Sequence, residues 1–294
     1  MSIKIGSWNV ELRLSDLESN VNRGNPTRIL DEIERLDADV LVLPEAFGNE
    51  PADEVDERLR AMGYDWRDVE YDDKGRDLLK QWEAGTAPHM RILSRLAIIS
   101  SEVTRWGDLR NLLMVTVHDP VSGQDLEIIG THLRHLMETQ RLAQVVDAAP
   151  FVMRNKTPKV MLGDFNAMHS EDLRAKLLGS GAMRWLARHI PSEYALDDEA
   201  AEREDLRSFL MCATDMATGS ALTLLESETN LRDLDPRHRA TTTPQVRGHE
   251  SLPNVRLLQI DHMYASPEVE AEKVTISRDG GADHRAISTI ICLK

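Results

Sequence analysis

Gly163-Asp164-Phe165-Asn166-Ala167 and Ala282-Asp283-His284-Arg285 set hard polar side chains directly beside apolar residues near predicted strand ends. Trp8-Asn9, Pro44-Glu45, Thr131-His132-Leu133 and Ile260-Asp261-His262 do the same. Carboxylates, amides and imidazoles of this kind suit a divalent metal, an attacked phosphate and an activated water. Asp164 and Asn166 are two residues apart, so on a strand they share one face. Gly163 lets chain or ligand approach closely. The plain alternative for this stretch is an Asx turn that closes a strand. Glu45, after Pro44, is a candidate hard-oxygen ligand for Mg²⁺ or Mn²⁺, and Asn9 could add a carbonyl oxygen to the same ion. A loop acid and a strand-terminating amide are the ordinary readings of those two residues. His132 and His284 lie at strand ends, with Asp283 and Asp261 close by in sequence. An aspartate that accepts a hydrogen bond from an imidazole fixes its tautomer and raises its pKa. The remaining histidines, His169 and His238 among them, fit no ligand spacing and read as surface or supporting residues. There is no CxxC, no HExxH and no Gly-rich phosphate loop, which disfavours zinc and nucleoside-triphosphate motors.

These residues need strands to carry them. Residues 2–9 read as the first strand, and Pro26 opens a helix with Ile29, Leu30, Ile33 and Leu36 on its apolar face. Val40–Leu43 is a buried strand, and a second helix runs from Pro51 to about Met62. Arg91–Ser100, Leu112–His118 and Leu126–His132 read as strands, the last two joined by a turn over 120–125. A helix from about Met137 to Met153 follows, bent at Pro150. Val160–Leu162 is the next strand, and helical text dominates from Ser170 to about Glu226. Strands return at Arg256–Ala265, Glu272–Ser277 and Ala286–Leu293. Strand-rich halves thus occur twice, over 1–155 and 156–294, with no linker composition between them. The expectation is one domain of two packed sheets with helices outside, carrying an insertion-like block at about 173–251.

A chain of 294 residues has length enough for a sizeable core, and its hydrophobic fraction of 41% is ordinary for a globular protein. No apolar run approaches the roughly 18 residues of a membrane span. The N-terminus reads as a strand rather than a signal or transit peptide. Cys212 and Cys292 sit in apolar contexts and read as buried free thiols, which favours a cytoplasmic location. Formal charge is -15, which argues against tight nonspecific binding to nucleic acid. The acidic run at 193–205 reads as a solvated face, whereas 134–159, with Arg134 and Arg141, is locally basic.

The ordered set Ser7-Trp8-Asn9, Pro44-Glu45, Thr131-His132-Leu133, Gly163-Asp164-Phe165-Asn166, Ile260-Asp261-His262 and Ala282-Asp283-His284 resembles the endonuclease/exonuclease/phosphatase superfamily. Pancreatic deoxyribonuclease, abasic-site endonucleases, neutral sphingomyelinases, inositol polyphosphate 5-phosphatases and deadenylases belong to it. The resemblance runs from residue 3 to residue 293. Ala282 departs from the Ser that many members carry there.

The resemblance implies a four-layered α/β sandwich of two mostly antiparallel sheets packed face to face, with helices outside. It implies that Asn9 and Glu45 hold the metal, Mg²⁺ or Mn²⁺, with Asp283 as a further ligand. Asp164 would orient or deprotonate the water, and Asn166 would contact the phosphate. His284, held by Asp261, would act as acid/base or hydrogen-bond the phosphate, with His132 as a second such histidine. Arg110 resembles an arginine that reaches substrate phosphate, and Arg134 would add a phosphate contact on a nucleic-acid substrate. The leading expectation is a phosphodiesterase or nuclease. A phosphatase or phosphodiesterase acting on a small metabolite, an inositol phosphate or a lipid headgroup comes second. An inactive binding protein on the same fold comes third.

Overall fold

The computed structural model describes residues 2–11, 13–14, 26–47, 51, 53–69, 89–105, 111–135, 137–189, 211–242, 258–277 and 282–294. The first sheet is built from β1 (Ile3–Ser7), β2 (Val40–Phe47), β3 (Asp65–Asp68), β4 (His89–Ser94), β11 (Val269–Ala271), β12 (Thr275–Ile276) and β13 (Ile287–Leu293). Its order is β11-β13-β1-β2-β4-β3, with β12 also on β13. The second contains β5 (Ala97–Arg105), β6 (Asn111–Asp119), β7 (Gln124–His132), β8 (Lys159–Asp164), β9 (Arg232–Asp233) and β10 (Asp261–Ala265), in the order β5-β6-β7-β8-β10-β9. Each sheet has one parallel pair, β1 with β2 and β7 with β8, and its other pairs are antiparallel. A helix crosses over within each parallel pair, as parallel pairing requires. These helices are α1 (Pro26–Leu36) and α3 (Glu138–Val152). The other named helices are α2 (Asp53–Ala61), α4 (Leu173–Leu178), α5 (Gly181–His189) and α6 (Ser220–Glu228).

Strand alternation assembles the layers. Val40 and Val42 face the core between the sheets, where Ile5 and Ile92 meet Val115, Ile128, Val160 and Leu162. Leu41 and Leu43 point the other way, onto Ile29, Leu30 and Ile33 of α1 and onto Val55 and Leu59 of α2. Across the molecule Met161 and Ile129 face outward onto Val145, Ala148 and Val152 of α3 and onto Leu222 and Leu225 of α6. Helices, sheet, sheet and helices thus form the four expected layers.

Several element boundaries differ from expectation. Residues 91–100 form two strands in different sheets rather than one. The chain bends at Arg95-Leu96, where Leu96 N–H donates to Ser94 Oγ at 3.0 Å and Arg95 N–H donates to Asp39 O at 2.8 Å. Of the strand expected over 256–265, residues 256 and 257 lie outside the described residues, 258–260 are not strand and β10 begins at Asp261; the one expected over 272–277 shrinks to Thr275–Ile276, with β11 just before it. Cys292 is exposed rather than buried, because alternation in β13 turns Ile291 inward and its neighbour out; Cys212 is partly buried, and both are free thiols. The acidic run at 193–205 lies outside the described residues, as does part of the block at 173–251.

Candidate active site

Strand register builds the centre of the site. His132 pairs with Asp164 across β7 and β8, and Asp164 pairs with Asp261 across β8 and β10. Residues opposite one another in a sheet project to the same face, so three polar side chains form a row. The segments after β1 and before β13 bring Asn9 and His284 to that row. Trp8 Nε1–H fixes the two segments together by donating to the His284 carbonyl at 3.0 Å.

Asp164 is the hub. Its Oδ2 accepts from Asn9 Nδ2 at 3.1 Å and lies 3.8 Å from His132 Nε2 and 3.9 Å from His284 Nε2. Its Oδ1 accepts from the Asn166 backbone N–H at 2.9 Å. Asn166 Nδ2 donates to Leu133 O at 3.0 Å, which orients the amide. His284 Nδ1 contacts both oxygens of Asp261, at 2.8 and 3.1 Å, so its Nε2 faces Asp164. Glu45 Oε1 lies 3.3 Å from His132 Nε2. Glu45 and Asn166 both hold a left-handed backbone with φ of 48°, a conformation that costs energy outside glycine and asparagine and concentrates at functional sites.

Burial sets the electrostatics. Desolvation pushes the Asp164 carboxyl up to about 7; the Asp261 charge adds to this and the His284 charge opposes it. Burial also raises Asp283, helped by the Glu11 charge and opposed by His284. At His284 burial works against the charged form, but the carboxylates of Asp261, Asp283 and Asp164 outweigh it and hold the imidazole well above its usual value.

The structure brings Asn9, Glu45, His132, Asp164, Asn166, Asp261 and His284 together, and Asp283 acts on the cluster through its charge. Arg134 stands at the entry to α3, with its Nε donating to Gln140 Oε1 at 3.1 Å. Arg110 lies outside the described residues. The sequence reading quoted Trp8 beside Asn9 without giving it a role, and missed Glu11 and the Thr241-Thr242 pair. Glu11 N–H donates to Asn9 Oδ1 at 3.0 Å. Thr241 Oγ1 accepts from Asp261 N–H at 3.4 Å, and Thr242 forms a bridge with His284. Nothing in a run of threonines signals that role.

The donor chemistry fits a divalent cation. Ligand atoms of Asp164, Asp261 and His284 lie within 4.8 Å of one another. Asn9 and Glu45 bring further oxygen atoms to the same row, Asn9 Oδ1 accepting from Glu11 N–H at 3.0 Å and Glu45 Oε1 lying 3.3 Å from His132 Nε2. Carboxyls whose charge is disfavoured by burial gain most from a cation beside them.

Gly163 carries the tight geometry under the hub. Its φ is +152°, and a Cβ there would lie 1.9 Å from the Thr131 carbonyl oxygen. Gly163→Ala is expected to cost at least about 1–3 kcal/mol in backbone strain alone and to displace Asp164. Thermal unfolding together with turnover checks this, and a wild-type melting temperature would refute it.

The model of the Endonuclease/Exonuclease/phosphatase family matches residues 6–284. A crystal structure of an endonuclease/exonuclease/phosphatase family protein from Bacteroides thetaiotaomicron superposes with a TM-score of 0.63 at 14% identity, covering 100% of this chain and 98% of that one. A mannosyl-6-phosphatase from the same organism gives 0.59 at 14%, covering 99% and 100%. The 3' phosphatase NExo from Neisseria, bound to a product DNA hairpin, gives 0.59 at 16%, covering 98% of each chain. No curated protein matches the chain in sequence.

Proposed function

The chain belongs to the Endonuclease/Exonuclease/phosphatase family, whose members hydrolyse phosphate esters, and on that premise we propose that it is a divalent-metal-dependent phosphodiesterase with nucleic acid as its first candidate substrate. The observation that carries the reading is Asp164, buried and facing two imidazoles, one of them locked by Asp261. Mg²⁺ is the expected ion and Mn²⁺ its substitute, held by Asn9 and Glu45 with Asp283 nearby. When bound, the ion would neutralise phosphate charge and polarise the ester.

The protein's own groups do the rest. Asp164 Oδ2 takes a proton from water as the water oxygen attacks phosphorus. The bond from phosphorus to the leaving oxygen breaks, and His284 Nε2–H offers that oxygen its proton. Asp261 keeps the imidazole charged and correctly turned for this. One Asn166 Nδ2 hydrogen is used by Leu133 O, which leaves the other for a phosphate oxygen. His132 gives a second imidazole, its Nε2 3.8 Å from Asp164 Oδ2 and 3.3 Å from Glu45 Oε1.

A second reading, a small phosphate ester as substrate, draws on charge. The chain carries -15. Arg141 is spent on Glu138 and Asp215, Arg174 on Asp172, and Arg239 on Asp235. Arg134 and Arg110 are the arginines proposed for substrate phosphate. We also propose a cytoplasmic location, in keeping with the two free thiols.

Turnover is expected to vanish in EDTA and return with Mg²⁺ or Mn²⁺, and Glu45→Ala is expected to lose most metal-dependent turnover while folding normally. Plasmid DNA, RNA, an abasic duplex, a choline phospholipid, inositol phosphates and chromogenic mono- and diesters form the assay panel. Full activity in EDTA refutes the metal reading. Cleavage confined to small esters, with little salt dependence, selects the second reading over the first.

A further inference from the structure

The start of β10 carries two polar side chains that point to opposite faces of its sheet. Asp261 shares a face with Met263 and Ala265, which pack between the sheets, and it meets His284 at 2.8 Å. His262 shares the other face with Tyr264, on the side of the outer helices, and is only 1% exposed. The rings of His262 and Phe165 stand edge to face, with centroids 5.5 Å apart and planes at 85°. His262 Nε2 lies 2.8 Å from Ala167 O. A carbonyl oxygen only accepts, so Nε2 carries a proton and donates it. The Ile260-Asp261-His262 motif thus has a task for Asp261 and, so far, none for His262.

Packing alone does not account for an imidazole at this position. His262 Nδ1 is buried and makes no hydrogen bond among the described residues. Leu or Met would fill the space beside Phe165 and Tyr264 without burying an unpaired nitrogen. What the imidazole adds is the bond to Ala167 O. That carbonyl belongs to the turn by which the chain leaves β8 and presents Asn166. Backbone bonds hold the turn at each end, Phe165 N–H to Ile260 O and Met168 N–H to Met216 O, both at 2.8 Å. Between them Asn166 keeps its left-handed φ of 48°, its N–H on Asp164 Oδ1 and its Nδ2 on Leu133 O. His262 grips the turn from behind the sheet, one residue past Asn166. Without it the buried Ala167 carbonyl loses its partner, and the peptide that follows Asn166 is released.

We propose that His262 is a positioning residue for Asn166: by holding the Ala167 carbonyl it fixes the direction in which the Asn166 amide meets substrate phosphate, given the phosphate contact proposed above for Asn166. A fixed donor acts through its placement, and a displacement of about 1 Å is enough to lose much of its benefit. The two faces of β10 then align two parts of one reaction. Asp261 turns the His284 imidazole, and His262 sets the Asn166 amide. His262 itself touches no substrate and carries no proton in the reaction.

The test measures kcat and KM in Mg²⁺ on whichever ester of the assay panel the wild type turns over fastest. His262→Leu is expected to lower kcat about 10- to 100-fold, with KM changed by less than about threefold. His262→Gln places an N–H as many bonds from Cβ as the histidine does and should recover most of that loss. In an Asn166→Ala background, His262→Leu should cost less than about threefold more, because the group it positions is gone. Hydrogen exchange, read without substrate, should follow the same order. The amides of residues 166–168 should exchange faster in His262→Leu and close to the wild-type rate in His262→Gln. His262→Met takes its place if His262→Leu does not fold. The proposal is overturned if folded His262→Leu keeps wild-type turnover or wild-type exchange, or if His262→Gln is no better. It is equally overturned if the losses at 262 and 166 multiply, as a general loosening of the fold would make them. Wild-type turnover in Asn166→Ala alone would instead remove the phosphate role of Asn166, and the positioning role with it.

Discussion

Asp164→Asn is expected to lower kcat/KM by about 10³-fold or more while leaving the fold intact. The substitution keeps the size of the side chain and an oxygen for Asn166 N–H, but removes the charge that accepts a proton from water. It also sets an amide nitrogen against Asn9 Nδ2, which now donates to Asp164 Oδ2 at 3.1 Å. A stability effect with a definite sign goes with the loss. In the metal-free protein burial raises this carboxyl from 3.8 to about 7, with the Asp261 charge adding to it. The folded state therefore holds the proton more tightly than the unfolded chain. Stability falls as pH rises from 3.8 toward about 7, and the full penalty persists above that. Asp164→Asn cannot ionise, so it escapes this fall. Its melting temperature relative to wild type, measured in chelator, should climb across that window. Added Mg²⁺ should erase most of the difference by stabilising the ionised wild type. Turnover within about tenfold of wild type would remove Asp164 from the chemistry. A melting difference that does not change with pH would show that its carboxyl is not held up by burial.

The polar row at the sheet edge was legible because each of its residues ends or borders an apolar strand, and strand ends are what a two-sheet edge gathers. His132, Asp164 and Asp261 required only the right neighbours among strands, and those neighbours are near-continuous apolar runs. The bend between β4 and β5 was not legible, since Arg95 and Leu96 interrupt the strand pattern no more than Arg91 does. β3 and β9 are short and polar, and they exist because β4 and β10 offer them a partner. The supports of the site were hidden for a related reason. Thr241 matters through a hydroxyl that meets Asp261 N–H, a contact set by tertiary structure and not by local pattern. His169 and His238, read from sequence as surface or supporting residues, are brought together only when the β8 exit and the β9 exit close on each other.

His284 and Asp261 are expected to behave as one unit. His284→Ala and Asp261→Ala should each lower turnover by about 10²–10⁴-fold, and the double variant should be little worse than the poorer single one. The contact behind this is short, 2.8 Å from His284 Nδ1 to Asp261 Oδ2, and both side chains are buried. The carboxylate orients the ring and holds its charge against desolvation. Without Asp261 the imidazole has less reason to stay protonated, so its pKa falls. If charged His284 is the working form, the alkaline limb of the pH–rate profile moves to lower pH in Asp261→Ala. A purely structural role for Asp261 would lower the rate without moving that limb. The fold should tolerate both changes, because Trp8 is held by the carbonyl of residue 284 and not by its side chain. A double-mutant cycle in which the two losses multiply would mean that Asp261 does not act through His284.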